Sequence, residues 1–303
     1  MSTAIPAPGD HGGDGHRLAA ALGVARDAVL DLSMSLNPFS PDLSAVLAPH
    51  LDALRAYPDP AAATEALARA IGVAPERMVL TNGGAEAVAL VAAACPVGDV
   101  RPPEFSLYAR HLQRMEVGAP RWRSNPNNPT GLLAAPDAVA AVWDEAFYQL
   151  ATGTWTRGDD AVIVGSLTKV FACPGLRVGY VIARDREQAA QIAYRQPAWS
   201  LNALACAAVP ELLVVADLTG WCAAITAARG ALVALLCTHD LVAEPSDANY
   251  LLVRDAPGLR DHLARGAVLV RDTASFGIPD GARIAVPDAA GLDRLDQTLK
   301  GYR

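Results

Sequence analysis

Short apolar runs along the chain alternate with segments of helical period. Residues 16–24 and 42–73 carry apolar positions at helical spacing, and the second pattern is interrupted at residues 57–60. Two prolines in three residues exclude a continuous helix there. The apolar run Met78–Thr81 predicts a strand, and a glycine pair, 83–84, follows it before an almost continuously apolar helix. The glycines therefore mark a strand-to-helix turn.

A single lysine follows the most apolar of these runs. Val162–Val164 predicts a buried strand, and Lys169 comes shortly after its end. Strand ends in open α/β sheets face the ligand crevice, where a desolvated amine has a lowered pKa and can form a Schiff base with a carbonyl cofactor. Ser166, Thr168 and Arg177 offer hydroxyls and a planar cation that together suit a phosphate. A surface lysine in a loop is the alternative, but the apolar surroundings favour the crevice.

Three other segments place polar groups beside predicted elements. The helix that starts at Gly84 and Ala85 exposes backbone N–H groups, which form an anion site, although glycines also occur at such turns for steric reasons alone. Residues 125–131 contain two prolines and three asparagines and predict an ordered loop, in which Asn128 can donate a hydrogen bond. Asp144 follows an apolar strand pattern and could hold a pyridine nitrogen protonated. A helix-capping or salt-bridged aspartate is the alternative.

The last third of the chain has a different pattern. Residues 184–240 are alanine-rich and helical in period, and residues 220–236 predict a long helix that joins two domains. Strands and turns then alternate around one helix, and Arg283 lies in a short predicted strand. We expect a smaller α+β domain here. The predicted division is an N-terminal arm that contributes to the small domain (1–50), a large domain (51–215), and a linking helix with the small C-terminal domain (216–303).

Composition narrows the range of functions. A chain of 303 residues that is 52% hydrophobic and 19% charged can bury a large core. The net charge of -7 and the lack of a basic run argue against a nucleic-acid surface. The N-terminus does not resemble a signal peptide, and no uninterrupted apolar segment is long enough to span a bilayer. Five widely spaced cysteines predict reduced core residues, and no metal-ligand spacing is present. We expect a cytoplasmic protein that binds small molecules and copies of itself.

Four segments together resemble the motifs of the pyridoxal-phosphate-dependent class I/II aminotransferase family. They are SLTKVFACPGLRVGY (166–180), SNPNNPTG (124–131), WDEAF (143–147) and TNGGAEA (81–87). The resemblance covers nearly the whole chain, because YPDP near the start and VRDTASFG and GARIAV near the end are also similar to that family. It implies pyridoxal 5'-phosphate as cofactor, a fold type I α/β architecture with a mostly parallel central sheet and a small α+β C-terminal domain, and a homodimer.

The same resemblance implies a role for each matching residue. Lys169 would carry the cofactor as a Schiff base and then act as the proton-transfer base, while Asp144 would pair with the pyridine nitrogen. Asn128 would hydrogen-bond the ring's 3-oxygen, and Phe105 would stack on the ring. The cofactor phosphate would be held by Gly84, Ala85, Ser166 and Arg177, with Tyr57 of the neighbouring subunit. Substrate groups would be bound by Arg283, for a carboxylate, and by the phosphate candidates His11, Asn37 and Arg271.

Within the family, HGG, DLSMSLNP, CPGLRVGY and DEAF resemble the branch that contains L-threonine-O-3-phosphate decarboxylase of cobalamin synthesis and histidinol-phosphate aminotransferase. They favour the decarboxylase. We therefore expect decarboxylation of an amino acid or amino-phosphate. An aminotransferase of the histidinol-phosphate type is the first alternative, and a degenerate, non-catalytic relative is the second.

Two features depart from the family pattern. Phe147 stands where a tyrosine is frequent, so the ring's 3-oxygen would lose one donor unless Tyr148 replaces it. The connections around the asparagine loop are short, and residues 119–124 are too polar and arginine-rich for a fully buried parallel strand. We therefore expect the central sheet to be narrower or rearranged.

Overall fold

The computed structural model of the protein describes residues 4–158 and 160–302. Its helices are α1 (Gly15–Leu22), α2 (Ser44–Leu47), α3 (Ala61–Ile71), α4 (Gly83–Ala94), α5 (Ser106–His111), α6 (Tyr148–Thr152), α7 (Leu167–Val170), α8 (Arg186–Ala193), α9 (Ala203–Val214), α10 (Leu218–Thr238), α11 (Leu259–Arg265) and α12 (Ala289–Leu299). Its strands are β1 (Leu30–Asp31), β2 (Met78–Asn82), β3 (Val97–Gly98), β4 (Arg114–Met115), β5 (Trp122–Ser124), β6 (Val142–Asp144), β7 (Val162–Ser166), β8 (Val178–Ile182), β9 (Tyr250–Val253), β10 (Val268–Leu269), β11 (Arg271–Asp272) and β12 (Ala282–Ala285). Short 3-10 helices cover Arg26–Ala28, Ala48–Arg55, Pro75–Arg77 and Ala274–Phe276.

The central sheet contains five strands in the order β2-β8-β7-β6-β5. Strands β5, β6 and β7 pair in parallel, whereas β8 runs antiparallel to both of its neighbours. Four of the five strands therefore point in the same direction. The prediction of a mostly parallel sheet in an α/β fold is confirmed, with one reversed strand.

Within residues 119–124, β5 pairs in parallel with β6 as an edge strand, and as expected it is not fully buried. The strand is only three residues long. It buries Trp122 and Ser124, while Arg123 is partly exposed and lies with its guanidinium 5.3 Å from the Trp143 ring. A bridge between Asp99 and Arg121 connects this edge to the two-stranded sheet of β3 and β4. The sheet therefore continues beyond β5 in short segments.

Helices cover both faces of the central sheet. Side chains alternate along each strand, so Ile163 of β7 packs on one face with Leu67 of α3 and Leu212 of α9. Val164 packs on the other face with Val88 of α4. The polar ends of β6 and β7 are left at one edge of this three-layer core.

A second core lies around the C-terminal strands. Strands β11, β12 and β9 form an antiparallel sheet, and β1 pairs in parallel with β10. The long helix α10 buries Ile225 in the first core and Leu232 in the second, so it links the two. Among the described residues, α10 is also the one helix long and apolar enough to cross a membrane, which the sequence analysis did not anticipate. The predicted domain boundaries stay a prediction.

Gly179 of β8 lies against the turn between β2 and α4. A Cβ at this position would be 2.4 Å from the carbonyl carbon of Gly83 and 2.6 Å from the Gly84 nitrogen, so the backbone would have to move. We expect Gly179→Ala to lower the free energy of unfolding by about 1–3 kcal/mol, the usual cost of overpacking. Urea denaturation measures this change.

Gly230 provides the control for this substitution. It is exposed in α10, and nothing lies within 4 Å of a Cβ added there. Gly230→Ala should raise the free energy of unfolding by about 0.5–1 kcal/mol, because glycine is unfavourable in a helix interior. Equal stabilities of the two variants would contradict the close approach of β8 to the turn.

Candidate active site

A cavity of about 310 Å³ lies where the ends of β6 and β7, the start of α4 and the C-terminal strands meet. Eleven of the thirteen residues predicted for the site line this cavity. They are His11, Gly84, Ala85, Phe105, Asn128, Asp144, Ser166, Lys169, Arg177, Arg271 and Arg283. Other lining residues include Ser124, Phe147, Thr168 and Phe276.

Lys169 lies on the single turn of α7, immediately after β7. Ser166 begins this turn, and its side-chain oxygen accepts a hydrogen bond from the Thr168 backbone N–H. The Lys169 Nζ donates to the backbone oxygen of Met34 at 2.7 Å. Burial is the largest cause that lowers the pKa of this amine to about 7, and the nearby cations of Arg283 and Arg177 act in the same direction. A large fraction of the amine is therefore uncharged and nucleophilic near neutral pH.

Asp144 is the last residue of β6 and is buried. Its carboxylate accepts hydrogen bonds from the Tyr108 hydroxyl at 2.8 Å and from the Ala146 backbone N–H at 3.0 Å. Burial raises the pKa of Asp144, while these two hydrogen bonds act in the opposite direction. The carboxylate is thus fixed in position and suited to share a proton with a ring nitrogen.

An anion site lies at the start of α4. The first N–H groups of this helix, at Gly84 and Ala85, have no partner within the helix. Gly83 has a φ of +75°, and the Arg177 guanidinium fills the space that a Cβ of Gly83 would need. The Thr168 hydroxyl is buried and has no hydrogen-bond partner among the described residues. These donors suit a phosphate.

Two buried arginines from the C-terminal strands also line the cavity. Arg283 of β12 donates to the Asn128 side-chain oxygen and to the backbone oxygen of Ser33, but its Nε has no partner among the described residues. Arg271 of β11 donates to the backbone oxygens of residues 9 and 10 and to Ser275. Across the described residues, neither arginine forms an ion pair with a carboxylate. Both cations can therefore bind an anionic ligand.

Two predicted residues lie outside the cavity lining. Tyr57 is 77% exposed and stacks on Trp199, with ring centroids 4.5 Å apart. Asn37 was a candidate for a substrate phosphate, but its amide donates to the Val170 oxygen and its side-chain oxygen accepts from the Phe39 backbone N–H. Asn37 therefore holds the end of α7 instead of facing a ligand.

The structure also answers the question of Phe147 and Tyr148. Phe147 lines the cavity and packs edge-on against Tyr250, with ring centroids 5.0 Å apart. Tyr148 is not among the lining residues, and the groups near its hydroxyl include Thr152 and Thr154. Tyr148 therefore does not replace the missing donor.

Glu104 and Ser124 were missed by the sequence analysis. Glu104 is a buried carboxyl that accepts hydrogen bonds from both the backbone N–H and the hydroxyl of Ser124. Its only signal in the sequence is its position directly before Phe105. Propensity and spacing do not show that such a carboxyl is buried.

The fold and this site define a class of protein, an enzyme that holds a phosphorylated aldehyde cofactor on a lysine. The family model for aminotransferase class I and II matches residues 122–299. The chain therefore belongs to the class I and II aminotransferase family, and it is an enzyme with pyridoxal 5'-phosphate as its cofactor. The suggestion of a non-catalytic relative is not retained.

Individual relatives point to two activities. The threonine-phosphate decarboxylase of Salmonella typhimurium is 28% identical over 350 aligned positions, which cover 96% of this chain and 95% of that protein. The histidinol-phosphate aminotransferase 2 of Ralstonia nicotianae is 30% identical, covering 93% and 92% of the two chains. The solved histidinol-phosphate aminotransferase of Sinorhizobium meliloti, in complex with pyridoxal-5'-phosphate, is 16% identical with a TM-score of 0.78, covering 94% and 93%. That last similarity confirms the fold.

The residues of the cavity fit the cofactor of the family. The unpartnered Thr168 hydroxyl and the start of α4 can hold its phosphate, and Asp144 can pair with its ring nitrogen. Lys169 is the one lysine in the cavity, and the whole chain contains only one other, Lys300. The attachment point can therefore be tested without ambiguity.

We expect Lys169→Ala to remove the visible absorption of the bound cofactor, because the variant lacks the amine that holds the aldehyde. Lys300→Ala is the matched control. Its side chain is 67% exposed, and it should keep the absorption of the wild type. Borohydride reduction followed by peptide mapping should label Lys169 alone, and label on Lys300 would contradict this assignment.

The lowered pKa of Lys169 predicts how cofactor loading depends on pH. The protonated amine does not attack an aldehyde, so the rate at which the cofactor-free protein binds pyridoxal phosphate should rise as pH increases through about 7. Above that range the rate should level off, because the amine is already neutral. Stopped-flow absorbance measures this rate, and a continued rise toward pH 10 would indicate an ordinary exposed lysine.

Proposed function

We propose that this enzyme decarboxylates a phosphorylated amino acid of the O-phospho-L-threonine type. The observation that carries the proposal is the pair of buried arginines, Arg271 and Arg283, which line the cavity from the C-terminal strands. Each buried guanidinium favours its own anionic partner. A substrate with both a carboxylate and a phosphate satisfies both.

Each side chain then has a separate task. When bound, pyridoxal phosphate withdraws electrons from a bond at the substrate Cα. Lys169 holds the cofactor and later moves a proton, and Asp144 keeps a proton at the pyridine nitrogen. Asn128 donates to the 3-oxygen through its amide nitrogen, since its side-chain oxygen already accepts from Arg283. Phe105 covers the ring face, and aromatic faces suit this role.

The two arginines also influence which bond breaks. Arg283 would bind the carboxylate, and Arg271 with His11 would bind the phosphate. The His11 and Phe105 rings are 5.8 Å apart, so this histidine lies close to the proposed ring position. A substrate held at both ends cannot rotate freely about its Cα. Loss of carbon dioxide requires that the two arginines hold the bond between Cα and the carboxylate perpendicular to the ring plane, and this is the arrangement that the proposal assigns to them.

Transamination of the histidinol-phosphate type is the second candidate. The same lysine and aspartate serve both reactions, and the relative with 30% identity is named a histidinol-phosphate aminotransferase. A substrate of that kind carries one phosphate and no carboxylate, so it would leave one of the two arginines without an anion in that half-reaction, although the keto acid would supply carboxylates in the other. The decarboxylase is the simpler match, because a single substrate supplies both anions.

We also propose that the enzyme is a homodimer in which Tyr57 reaches the phosphate site of the neighbouring subunit. Tyr57 and Trp199 form an exposed aromatic stack, with Tyr57 77% and Trp199 62% exposed. Exposed aromatic side chains of this size are typical of interfaces. Their position on the surface suits a contact with a second copy.

The test is a product assay with the cofactor-loaded enzyme and O-phospho-L-threonine. We expect release of carbon dioxide without any added keto acid, and little release from unphosphorylated threonine. Arg271→Gln should lower kcat/KM for the phosphorylated substrate by about 100-fold, because a charge-assisted hydrogen-bond pair of about 2–3 kcal/mol is lost. Arg265→Gln, which changes an exposed arginine at the end of α11, is the control and should match the wild type.

Two outcomes would contradict the proposal. Amine transfer to a keto acid without carbon dioxide would establish the aminotransferase instead. If the wild type and Arg271→Gln each decarboxylated threonine and O-phospho-L-threonine at equal rates, Arg271 would not bind a substrate phosphate.

A further inference from the structure

The buried carboxyl of Glu104 lies next to Phe105, the residue proposed to stack on the ring, and has no role in the chemistry described so far. Glu104 precedes Phe105 directly and is 8% exposed. One of its oxygens accepts from the Ser124 backbone N–H at 3.1 Å and also from the Ser124 hydroxyl. A carboxyl that is buried at this position costs desolvation free energy, which its two hydrogen bonds offset only in part.

Ser124 connects this carboxyl to the asparagine loop. The Ser124 hydroxyl donates to Glu104, so its oxygen is free to accept the backbone N–H of Asn128 at 2.8 Å. An ionised Glu104 can only accept hydrogen bonds, and it therefore fixes the direction of this series of hydrogen bonds. Asn128 in turn accepts from Arg283. One carboxylate thus orients the residue proposed for the ring's 3-oxygen.

Glu104 also lies close enough to the residue proposed for the ring nitrogen to feel its charge. Strands β5 and β6 pair Ser124 with Asp144, and the Tyr108 hydroxyl donates to Asp144. The charged and titratable groups that face Glu104 are Asp144, Arg121 and Tyr108. Burial is the largest cause that raises the pKa of Glu104 to about 7, and the like charge of Asp144 adds to it. Its charge can therefore change within the working pH range.

We propose that Glu104 is a positioning residue, which orients Asn128 through Ser124 and contributes negative charge near the cofactor site. The inference rests on the cofactor assignment within the proposed function and does not depend on the substrate. Glu104 touches neither the cofactor nor the substrate, so its effect passes through Ser124 and through its electric field. This role explains why an ionisable group is buried at this position.

The experiment is a titration of the holoenzyme's visible absorption with pH. Glu104→Gln keeps the shape of the side chain but removes its charge. We expect the midpoint of the absorbance change to move to lower pH by roughly one unit, because the protonated cofactor nitrogen loses a nearby negative charge. The kcat should fall about tenfold while KM stays within about twofold, since Arg271 and Arg283 are unchanged. Glu116→Gln removes an exposed carboxylate and is the control.

A double-mutant cycle tests the connection through Ser124. If Glu104 acts through this hydroxyl, Glu104→Gln and Ser124→Ala should be non-additive in kcat, so the double variant should resemble the more impaired single variant. An absorbance midpoint of Glu104→Gln that matches the wild type would overturn the inference, and so would additive effects in the cycle. The titration uses no substrate. A failed O-phospho-L-threonine assay with a shifted midpoint would therefore count against the proposed substrate alone.

Discussion

The site depends on the burial of one amine among positive charges. Lys169 lies close to Arg177 and Arg283, and the described residues place no carboxylate in ion-pair contact with any of the three. Asp31 is the one acidic group that raises the pKa of the amine, and its effect is the smallest of those acting on it. The amine therefore loses its proton more easily than a lysine in water, and the same excess of positive charge attracts anionic ligands.

The asparagine loop joins the two sides of the cavity. Asn128 contacts Arg283, the Tyr250 hydroxyl donates to the Asn127 backbone oxygen at 2.8 Å, and the Asp247 backbone N–H donates to Gly131 at 2.9 Å. Three contacts from two C-terminal segments, residues 247–250 and β12, thus fix the loop that lines the cavity. The substrate side and the cofactor side cannot move independently without breaking them. This arrangement holds the reacting groups in position before a ligand binds.

Much of the site could be predicted because its residues follow strand ends, and parallel strands present their ends at one edge of a sheet. Asp144, Ser166 and Lys169 were found in this way. Asn37 was predicted to face the substrate, but its amide donates to the backbone oxygen of Val170, 133 residues along the chain. No local sequence pattern encodes that contact. Glu104 was missed for a related reason, since its burial depends on packing against β5. The role of Tyr57 concerns a second subunit, so a single chain leaves it a proposal.

The short edge strand β5 shows which parts of the fold the site requires. A strand of three residues is sufficient to position the site. The pairing of β5 with β6 places Ser124 beside Asp144, and the pairing of β6 with β7 places Asp144 beside Val164. Residues 125–141 then cross to β6 without a helix, and Arg157 holds this connection through the backbone oxygens of Pro136 and Ala138. A connection of that length satisfies the minimum for a parallel crossover. Since register, and not the covering helices, determines where strand ends lie, the chain can be short here and still bring its catalytic groups together.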